Sequence, residues 1–216
     1  MKGVRAVYWD LETGRAKRDS ESWDDYIRSC GISVACTISS DSTVKFYTPR
    51  DESPYDLESL AKDLCFADVS VGFNSLYWDW PVLEHTLGRK FPRKAEVDLL
   101  RIIRKCTPEV AEVGDWKLGA IAERNLPYAK LGEGAGAPTL AREGKWGRLA
   151  AYVLRDVQLT RGLFELAAER GWLLGPLGTR VETKEVIDDA IRRLQGRENG
   201  AGEEEGSAAD DWARRI

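Results

Sequence analysis

The chain contains, close to its start, the octapeptide Val7-Tyr8-Trp9-Asp10-Leu11-Glu12-Thr13-Gly14. Its apolar first half predicts a buried strand, and two carboxylates end that strand. Because side chains at i and i+2 of a strand point to the same face, Asp10 and Glu12 should project together, about 7 Å apart. Two like charges so placed raise each other's pKa unless a cation lies between them. Hard oxygen ligands of this kind suit Mg²⁺ or Mn²⁺, although a strand that simply ends in a polar turn at Thr13-Gly14 explains the same residues.

Length and composition are those of an ordinary globular protein. The 216 residues are 43% hydrophobic and 31% charged, which allows one sizeable domain with an appendage. No apolar run reaches the roughly 18 residues needed to span a bilayer, and the N-terminus leaves no room for a signal peptide. We therefore expect a cytoplasmic protein with no membrane partner.

Cysteine spacing supports the same compartment. Cys30, Cys36, Cys65 and Cys106 form no CxxC pair and no zinc pattern. Reduced thiols are the simplest prediction, with a Cys30–Cys36 disulfide as the alternative.

The net charge of −4 is unusual for a protein that binds nucleic acid. The acidic excess is concentrated at the end of the chain, because residues 196–216 hold three basic and six acidic side chains. A site rich in carboxylates also carries bound cations when it is in use. The overall sign is therefore only a weak argument against a nucleic-acid substrate.

Periodicity predicts that strands and helices alternate in the first half of the chain. Strands are expected at 4–12, 31–38, 44–47 and 69–74, with the second and third forming a hairpin. Helices are expected from Pro54 at the first helical position and over 76–87. This alternation is typical of an α/β domain. From residue 96 onward the pattern predicts mostly helices, around 97–103, 118–122, 149–169 and 183–195.

Three segments follow from these patterns. We expect an α/β domain over 1–175, an amphipathic C-terminal helix packing on it over 176–195, and a flexible acidic tail over 196–216, which is poor in hydrophobic residues. The end of the tail, around Trp212, is either a frayed terminus or a docking peptide. The glycine-rich run Gly132–Pro138 lacks the Lys-Ser/Thr of a phosphate-binding loop, so we interpret it as a flexible lid or linker.

Two further acids stand at positions where chemistry is expected. Asp79 follows the end of the strand at 69–74, where the functional crevice of an open α/β sheet lies, although stabilising a helix N-terminus would explain it equally. Asp156 shares a helical face with Tyr152, four residues earlier. An aspartate on an apolar stripe is costly unless it binds a metal or is paired with Tyr152 or an arginine.

These acids belong to three motifs that together resemble a known superfamily. The motifs are Trp9-Asp10-Leu11-Glu12-Thr13, Gly72-Phe73-Asn74-Ser75-Leu76-Tyr77-Trp78-Asp79 and Tyr152-Val153-Leu154-Arg155-Asp156-Val157-Gln158-Leu159-Thr160. They resemble the three exonuclease motifs of the DEDD superfamily of DnaQ-like 3′→5′ exonucleases, which includes polymerase proofreading domains. A tyrosine four residues before the last aspartate resembles the tyrosine subclass, and the stretch from Gly134 to Phe164 resembles stand-alone members of phages and mobile elements.

The resemblance implies a ribonuclease-H-like fold, with a mixed sheet of about five strands flanked by helices and a helical C-terminal part. It also implies two divalent cations, Mg²⁺ or Mn²⁺. Asp10, Glu12 and Asp156 would hold one ion, Asp10 would bridge to the second with Asp79 helping through water, and Tyr152 would orient the attacking water.

By the same resemblance the substrate is the 3′ end of a single-stranded nucleic acid, DNA being favoured over RNA, and the products are nucleoside 5′-monophosphates. Leu11, Thr13, Asn74 and Trp78 are the expected substrate-binding residues, with Leu11 and Trp78 stacking on or wedging terminal bases. Phe73 is a weaker candidate for stacking, because a strand residue more often packs in the core.

Some alternatives remain open on the sequence alone. The basic run Arg89–Lys94, with Arg101, Arg104 and Lys105, would contact phosphates or form a solvated face. Asp98 is interpreted as a helix N-terminal residue.

The chain could also be an inactive nuclease-like module that binds a polymerase or helicase in a separate chain. An endonuclease of ribonuclease H type is disfavoured, because the Tyr-x-x-x-Asp motif belongs by resemblance to exonucleases.

Overall fold

The computed structural model describes residues 5–49, 55–93, 96–107, 115–128, 136–189 and 192. Within these residues the centre is a five-stranded sheet of order β3-β2-β1-β4-β5. The central strand β1 pairs antiparallel with β2 and parallel with β4, so the sheet is mixed. The strands are β1 (Ala6–Thr13), β2 (Ile32–Ser39), β3 (Val44–Tyr47), β4 (Val69–Gly72) and β5 (Glu96–Asp98).

Helices cover both faces of the sheet. They are α1 (Trp23–Ser29), α2 (Leu57–Cys65), α3 (Asp79–Leu87), α4 (Leu99–Cys106), α5 (Leu118–Asn125), α6 (Ala137–Arg142) and α7 (Trp146–Arg170). This architecture confirms the predicted α/β class, with a mixed five-stranded sheet between helices. In the described part of the chain, no helix is both long enough and apolar enough to cross a membrane.

The alternation of side chains along β1 explains why there are two cores. Trp9, 1% exposed, faces α1, α2 and α3 and meets the ring of Trp80 edge-on at 5.2 Å. Tyr8 points the other way, toward α7, where its ring lies 5.8 Å from that of Phe164. Burying side chains of this size on both faces stabilises the fold by roughly 2–3 kcal/mol each. The position of β1 between two helical layers is therefore fixed by its own sequence.

Two predictions for the middle of the chain need correction. The segment 97–103 is not helical throughout, because β5 occupies Glu96–Asp98 and α4 begins at Leu99. The helix that was predicted to begin at Pro54 is α2, and it begins at Leu57 with Asp56 as its N-cap. Pro54 itself lies outside the described residues. Asp98 does cap α4, since its side chain accepts a hydrogen bond from the backbone N–H of Arg101.

The C-terminal helix that was predicted over 176–195 does not begin at 176, because two short strands follow α7. β6 (Trp172–Leu174) and β7 (Arg180–Glu182) form an antiparallel pair around a short 3-10 turn at Pro176–Gly178. Residues 184–189 are helical, in agreement with the start of the predicted last helix. The acidic tail and residues 132–135 of the glycine-rich run lie outside the described residues, while its last two residues, Ala137 and Pro138, begin α6.

Three cations of the basic run, Arg89, Lys90 and Arg93, form internal ion pairs that the sequence did not predict, whereas Arg101, Arg104 and Lys105 are exposed on α4. Glu84 is only 3% exposed and accepts hydrogen bonds from Lys90 at 2.7 Å and from Arg93. Arg89 pairs with Glu58 on α2. These cations therefore hold the segment after α3 against the helices, and Lys94 lies outside the described residues.

All four cysteines are free, so the alternative disulfide between Cys30 and Cys36 is not formed. Burial raises the pKa of Cys30 to about 11 and that of Cys36 to about 12. Both thiols are therefore protonated at neutral pH.

Candidate active site

Two carboxylates project from the end of β1. Asp10 and Glu12 are half-buried and lie on the same face of the strand as Tyr8, toward α7. The pairing of β1 with β2 shifts register between Glu12 and Thr13. An irregularity of this kind bends a strand and interrupts its regular pairing, so the regular pairing of β1 with β2 ends directly after Glu12.

The third carboxylate comes from the long helix. Asp156, 6% exposed, lies on the side of α7 that faces the sheet. Oxygen atoms of Asp10, Glu12 and Asp156 all lie within 4.8 Å of one another. Residues far apart in sequence are thereby brought into one cluster, which we call the carboxylate cluster.

The chemistry of this cluster suits a divalent cation. Three ionised carboxylates so close together repel one another strongly in a partly buried site. The donors are all oxygen, the type that Mg²⁺ and Mn²⁺ prefer. The residues present therefore fit a hard divalent ion held by Asp10, Glu12 and Asp156.

Tyr152 lies one turn before Asp156 on α7 and points the same way. Its hydroxyl donates a hydrogen bond to the Asp156 carboxylate. Burial raises the pKa of Tyr152 well above its usual value, and the negative charges of Asp156, Glu12 and Asp10 add to the shift. The tyrosine therefore stands beside the cluster as a neutral hydroxyl.

Asp79 lies beside the carboxylate cluster rather than within it. It is the first residue of α3 and 2% exposed, and the backbone N–H of Leu11 donates to its carboxyl group. Burial raises its pKa well above the usual value, with the charges of Asp98 and Glu96 adding to the effect. Its Oδ1 atom is buried and accepts no hydrogen bond from the described residues. A water molecule or a proton at this atom would satisfy it.

The turn that carries Asp79 is held by Asp98. The Asp98 carboxylate accepts hydrogen bonds from the backbone N–H of Asn74 at 2.9 Å and of Leu76 at 3.1 Å. Asn74 has a φ of 67°, in the left-handed region, which asparagine tolerates better than most residues. One side chain thus caps α4 and also fixes the path of the chain into α3.

The four predicted substrate-binding residues divide into two pairs. Leu11 is 4% exposed in the core between β1 and the helices α1–α3, so it would have to move to stack on a base. The hydroxyl of Thr13, which is 7% exposed, bonds with that of Tyr26 at 2.9 Å. Asn74 and Trp78, in contrast, are partly exposed and line a groove beside the turn. The structure thus leaves the second pair accessible. Phe73 directly follows β4, is 9% exposed and packs in the core, as predicted.

Sequence reasoning missed Glu96, which lies beneath this turn. Its carboxyl group accepts hydrogen bonds from the hydroxyls of Ser70 and Ser75 and from the indole N–H of Trp9. Burial raises the pKa of Glu96 to about 7, although these donors act against the shift. Its place on a three-residue strand left no periodic signal by which it could have been found.

Comparisons with known proteins were made by sequence and by structure. No protein-family model and no curated protein sequence matches the chain. The structure of the family B DNA polymerase from the hyperthermophilic archaeon Pyrobaculum calidifontis is similar with a TM-score of 0.58 and 19% identity, over 90% of this chain and 29% of the polymerase. A structure described as the apo form of a nuclease is similar with a TM-score of 0.55 and 18% identity, over 96% of this chain and 90% of that one.

At such identities the likeness shows the fold. The chain spans less than a third of the polymerase, 29% of its length. The α/β fold is ribonuclease-H-like, as the sequence motifs implied.

Proposed function

We propose that the chain is a metal-dependent 3′→5′ exonuclease of the DEDD superfamily and its tyrosine subclass. Its substrate would be single-stranded DNA, cleaved from the 3′ end to nucleoside 5′-monophosphates. One observation carries the proposal: Asp10 and Glu12 of β1 and Asp156 of α7 meet within 4.8 Å, with the Tyr152 hydroxyl on Asp156. The fold likeness to a DNA polymerase and to a nuclease supports the same class of substrate.

The residues have distinct parts in this proposal. Asp10, Glu12 and Asp156 would bind one divalent cation, and Asp10 would share in a second, with Asp79 acting through water. Cations bound there would stabilise charge on the attacking and leaving oxygens of the phosphodiester. The neutral hydroxyl of Tyr152 would orient a water molecule by hydrogen bonding.

A direct test uses 5′-labelled single-stranded DNA and RNA oligonucleotides with Mg²⁺ or Mn²⁺. We expect stepwise shortening of the DNA from its 3′ end, and no cleavage by Asp10→Ala. Glu169→Ala is the matched control, because Glu169 is an exposed acid near the end of the same helix as Asp156. It should cleave like the wild type.

Two outcomes would redirect the proposal. Preferential shortening of RNA would replace the DNA substrate while keeping the mechanism. If neither oligonucleotide is cut with either metal while both still bind, the chain is a nuclease-like binding module, and a polymerase or helicase partner becomes the leading prediction.

A further inference from the structure

A groove of about 1100 Å³ opens beside the turn between β4 and α3. This aromatic groove is defined by four large rings and three cationic side chains, namely Trp23, Tyr77, Trp78, Trp116, Lys17, Arg104 and Lys117. Sites for small molecules typically measure about 300–1,000 Å³, so this one is large enough for several linked units.

Two of the rings are strongly exposed, which folding does not explain. Trp23 is 63% exposed and Tyr77 is 66% exposed. Trp23 is nevertheless held in place, since its ring meets Trp78 edge-on at 5.6 Å and lies 6.0 Å from that of Tyr26. Neighbouring aromatic side chains that remain exposed mark a binding surface more often than they mark part of a core.

Cations stand next to these rings. The ammonium group of Lys17 lies 5.3 Å from the centre of the Trp23 ring, and the guanidinium group of Arg104 lies 5.3 Å from that of Trp116. Among the described residues that line the groove, Asp115 is the single acidic side chain, against three basic ones. Rings on which bases stack, with cations that contact the phosphates, are the combination by which proteins bind single-stranded nucleic acid.

The aromatic groove also adjoins the proposed catalytic residues. Asn74 and Trp78 form part of its wall, and Asp79 directly follows Trp78 at the start of α3. Tyr26, which also lines the groove, bonds through its hydroxyl to Thr13, the neighbour of Glu12. A strand lying in the groove would therefore run toward the carboxylate cluster.

We propose that the aromatic groove binds the nucleotides on the 5′ side of the scissile bond of single-stranded DNA. The inference rests on the proposed exonuclease function and extends it from the reacting bond to the strand behind it. Trp23 and Tyr77 stack on successive bases, while Lys17, Arg104 and Lys117 contact the phosphates.

The test measures the affinity for fluorescein-labelled oligothymidylates of increasing length by anisotropy, in EDTA so that no cleavage occurs. For the wild type we expect affinity to rise with length until the groove is filled. Trp23→Ala and Tyr77→Ala should each weaken binding of the long oligonucleotides roughly tenfold, because each removes a ring on which one base stacks. Lys117→Glu should weaken binding and reduce its salt dependence.

Phe66→Ala is the matched control, because Phe66 is also an exposed aromatic, 53% exposed, and lies at the end of α2 away from the groove lining. Its affinity should equal that of the wild type. Thermal unfolding of each variant shows whether it folds, and Lys117→Glu tests the groove without removing a packed ring. Wild-type affinity in all three groove variants would overturn the inference, and so would tighter binding of single-stranded RNA than of DNA.

A second substrate separates this inference from the proposed function. The p-nitrophenyl ester of thymidine 5′-phosphate contains one nucleoside, so its hydrolysis with Mn²⁺ reports on the carboxylate cluster alone. Hydrolysis together with unaltered oligonucleotide binding by the groove variants would refute the groove and leave the exonuclease standing. No hydrolysis of ester or oligonucleotide, together with weakened binding by the groove variants, would refute the exonuclease and support the groove as a nucleic-acid site.

Discussion

The hydroxyl of Tyr152 donates a hydrogen bond to the carboxylate of Asp156, one turn further along α7. Around this pair the helix is fixed in rotation by Leu149, Val153 and Val157, whose side chains are fully buried. Because this apolar stripe sets which side of α7 meets the sheet, the polar pair is held against Asp10 and Glu12. The catalytic geometry that we propose therefore depends on core packing as much as on the acids themselves.

Replacing Tyr152 by phenylalanine removes the hydroxyl and keeps the ring. We expect kcat on single-stranded DNA to fall about 10²-fold, which is the scale of a positioned proton-transfer or orienting group, while KM stays within a factor of about two. Steady-state kinetics on a labelled oligonucleotide measure both values. Tyr55→Phe, at an exposed tyrosine outside the site, is the control, and an unchanged kcat in Tyr152→Phe would remove the tyrosine from the mechanism.

The carboxylate cluster should bind Mn²⁺ measurably even without a substrate. A ligand at about 100 times its Kd stabilises the folded state by about 2.7 kcal/mol, so the Tm of the wild type should rise with Mn²⁺. Asp10→Asn should lose that rise. In EDTA its Tm should equal or exceed that of the wild type, because one of three mutually repelling charges has been removed.

Scanning calorimetry with Mn²⁺ or EDTA makes this comparison. The Glu169→Ala variant should respond to Mn²⁺ as the wild type does, since its acid lies outside the carboxylate cluster. A full Mn²⁺ response in Asp10→Asn would show that the ion binds elsewhere.

Glu96 should make stability depend on pH. Burial raises its pKa from 4.5 to about 7, so between these two values the folded protein retains a proton that the unfolded chain has released. Stability therefore falls as pH rises through this window, and the full cost, on the order of 3 kcal/mol, is present above it. Glu96→Gln should be more stable than the wild type at mildly alkaline pH and equal to it in acid.

Urea unfolding at several pH values tests this expectation. Asp41→Asn provides a contrast, because the pKa of the Asp41 carboxyl is shifted in the opposite direction to that of Glu96. Hydrogen bonds from Ser39 and Thr43 lower it to about 2. Equal stability of Glu96→Gln and wild type at every pH would contradict the assigned shift.

Asp98 should contribute to the stability of the fold and to the position of the turn that carries Asp79. Asp98→Ala removes the acceptor for three backbone N–H groups, those of Asn74, Leu76 and Arg101. Loss of a helix cap and exposure of unpaired donors cost about 2–4 kcal/mol. Chemical denaturation measures this loss, and Asp98→Asn should recover part of it. A loss no larger than that of an exposed acid such as Glu169→Ala would show that the turn is held by other contacts.

The sequence predicted most reliably the elements whose side chains repeat over several turns or residues. β1 and the long helix α7 were found because alternation and helical periodicity persist through them, and the hairpin at Val44–Tyr47 was bounded by a clear turn. β5 was missed because three residues cannot show a period, and its apolar Val97 merged with the helix that follows.

Other features depend on contacts that no local pattern reveals. The ion pairs of the basic run were not predicted, because their acidic partners, Glu58 and Glu84, are identified only when α2 and α3 pack beside the run. The order of the acids was visible in the sequence. The buried position of Asp79 beside the carboxylate cluster depends on the turn that Asp98 holds. No pattern in the sequence indicated that turn.

The four native thiols, two of them buried and two half-buried, make the chain suitable for selective chemical labelling. Maleimides react with thiolates, and burial raises the pKa of Cys30 and Cys65 to about 11 and that of Cys36 to about 12, with the pKa of Cys106 also raised. A cysteine introduced by Tyr77→Cys, at a residue that is 66% exposed, would therefore be modified first. A single fluorophore can be placed at the rim of the aromatic groove without removing any native cysteine.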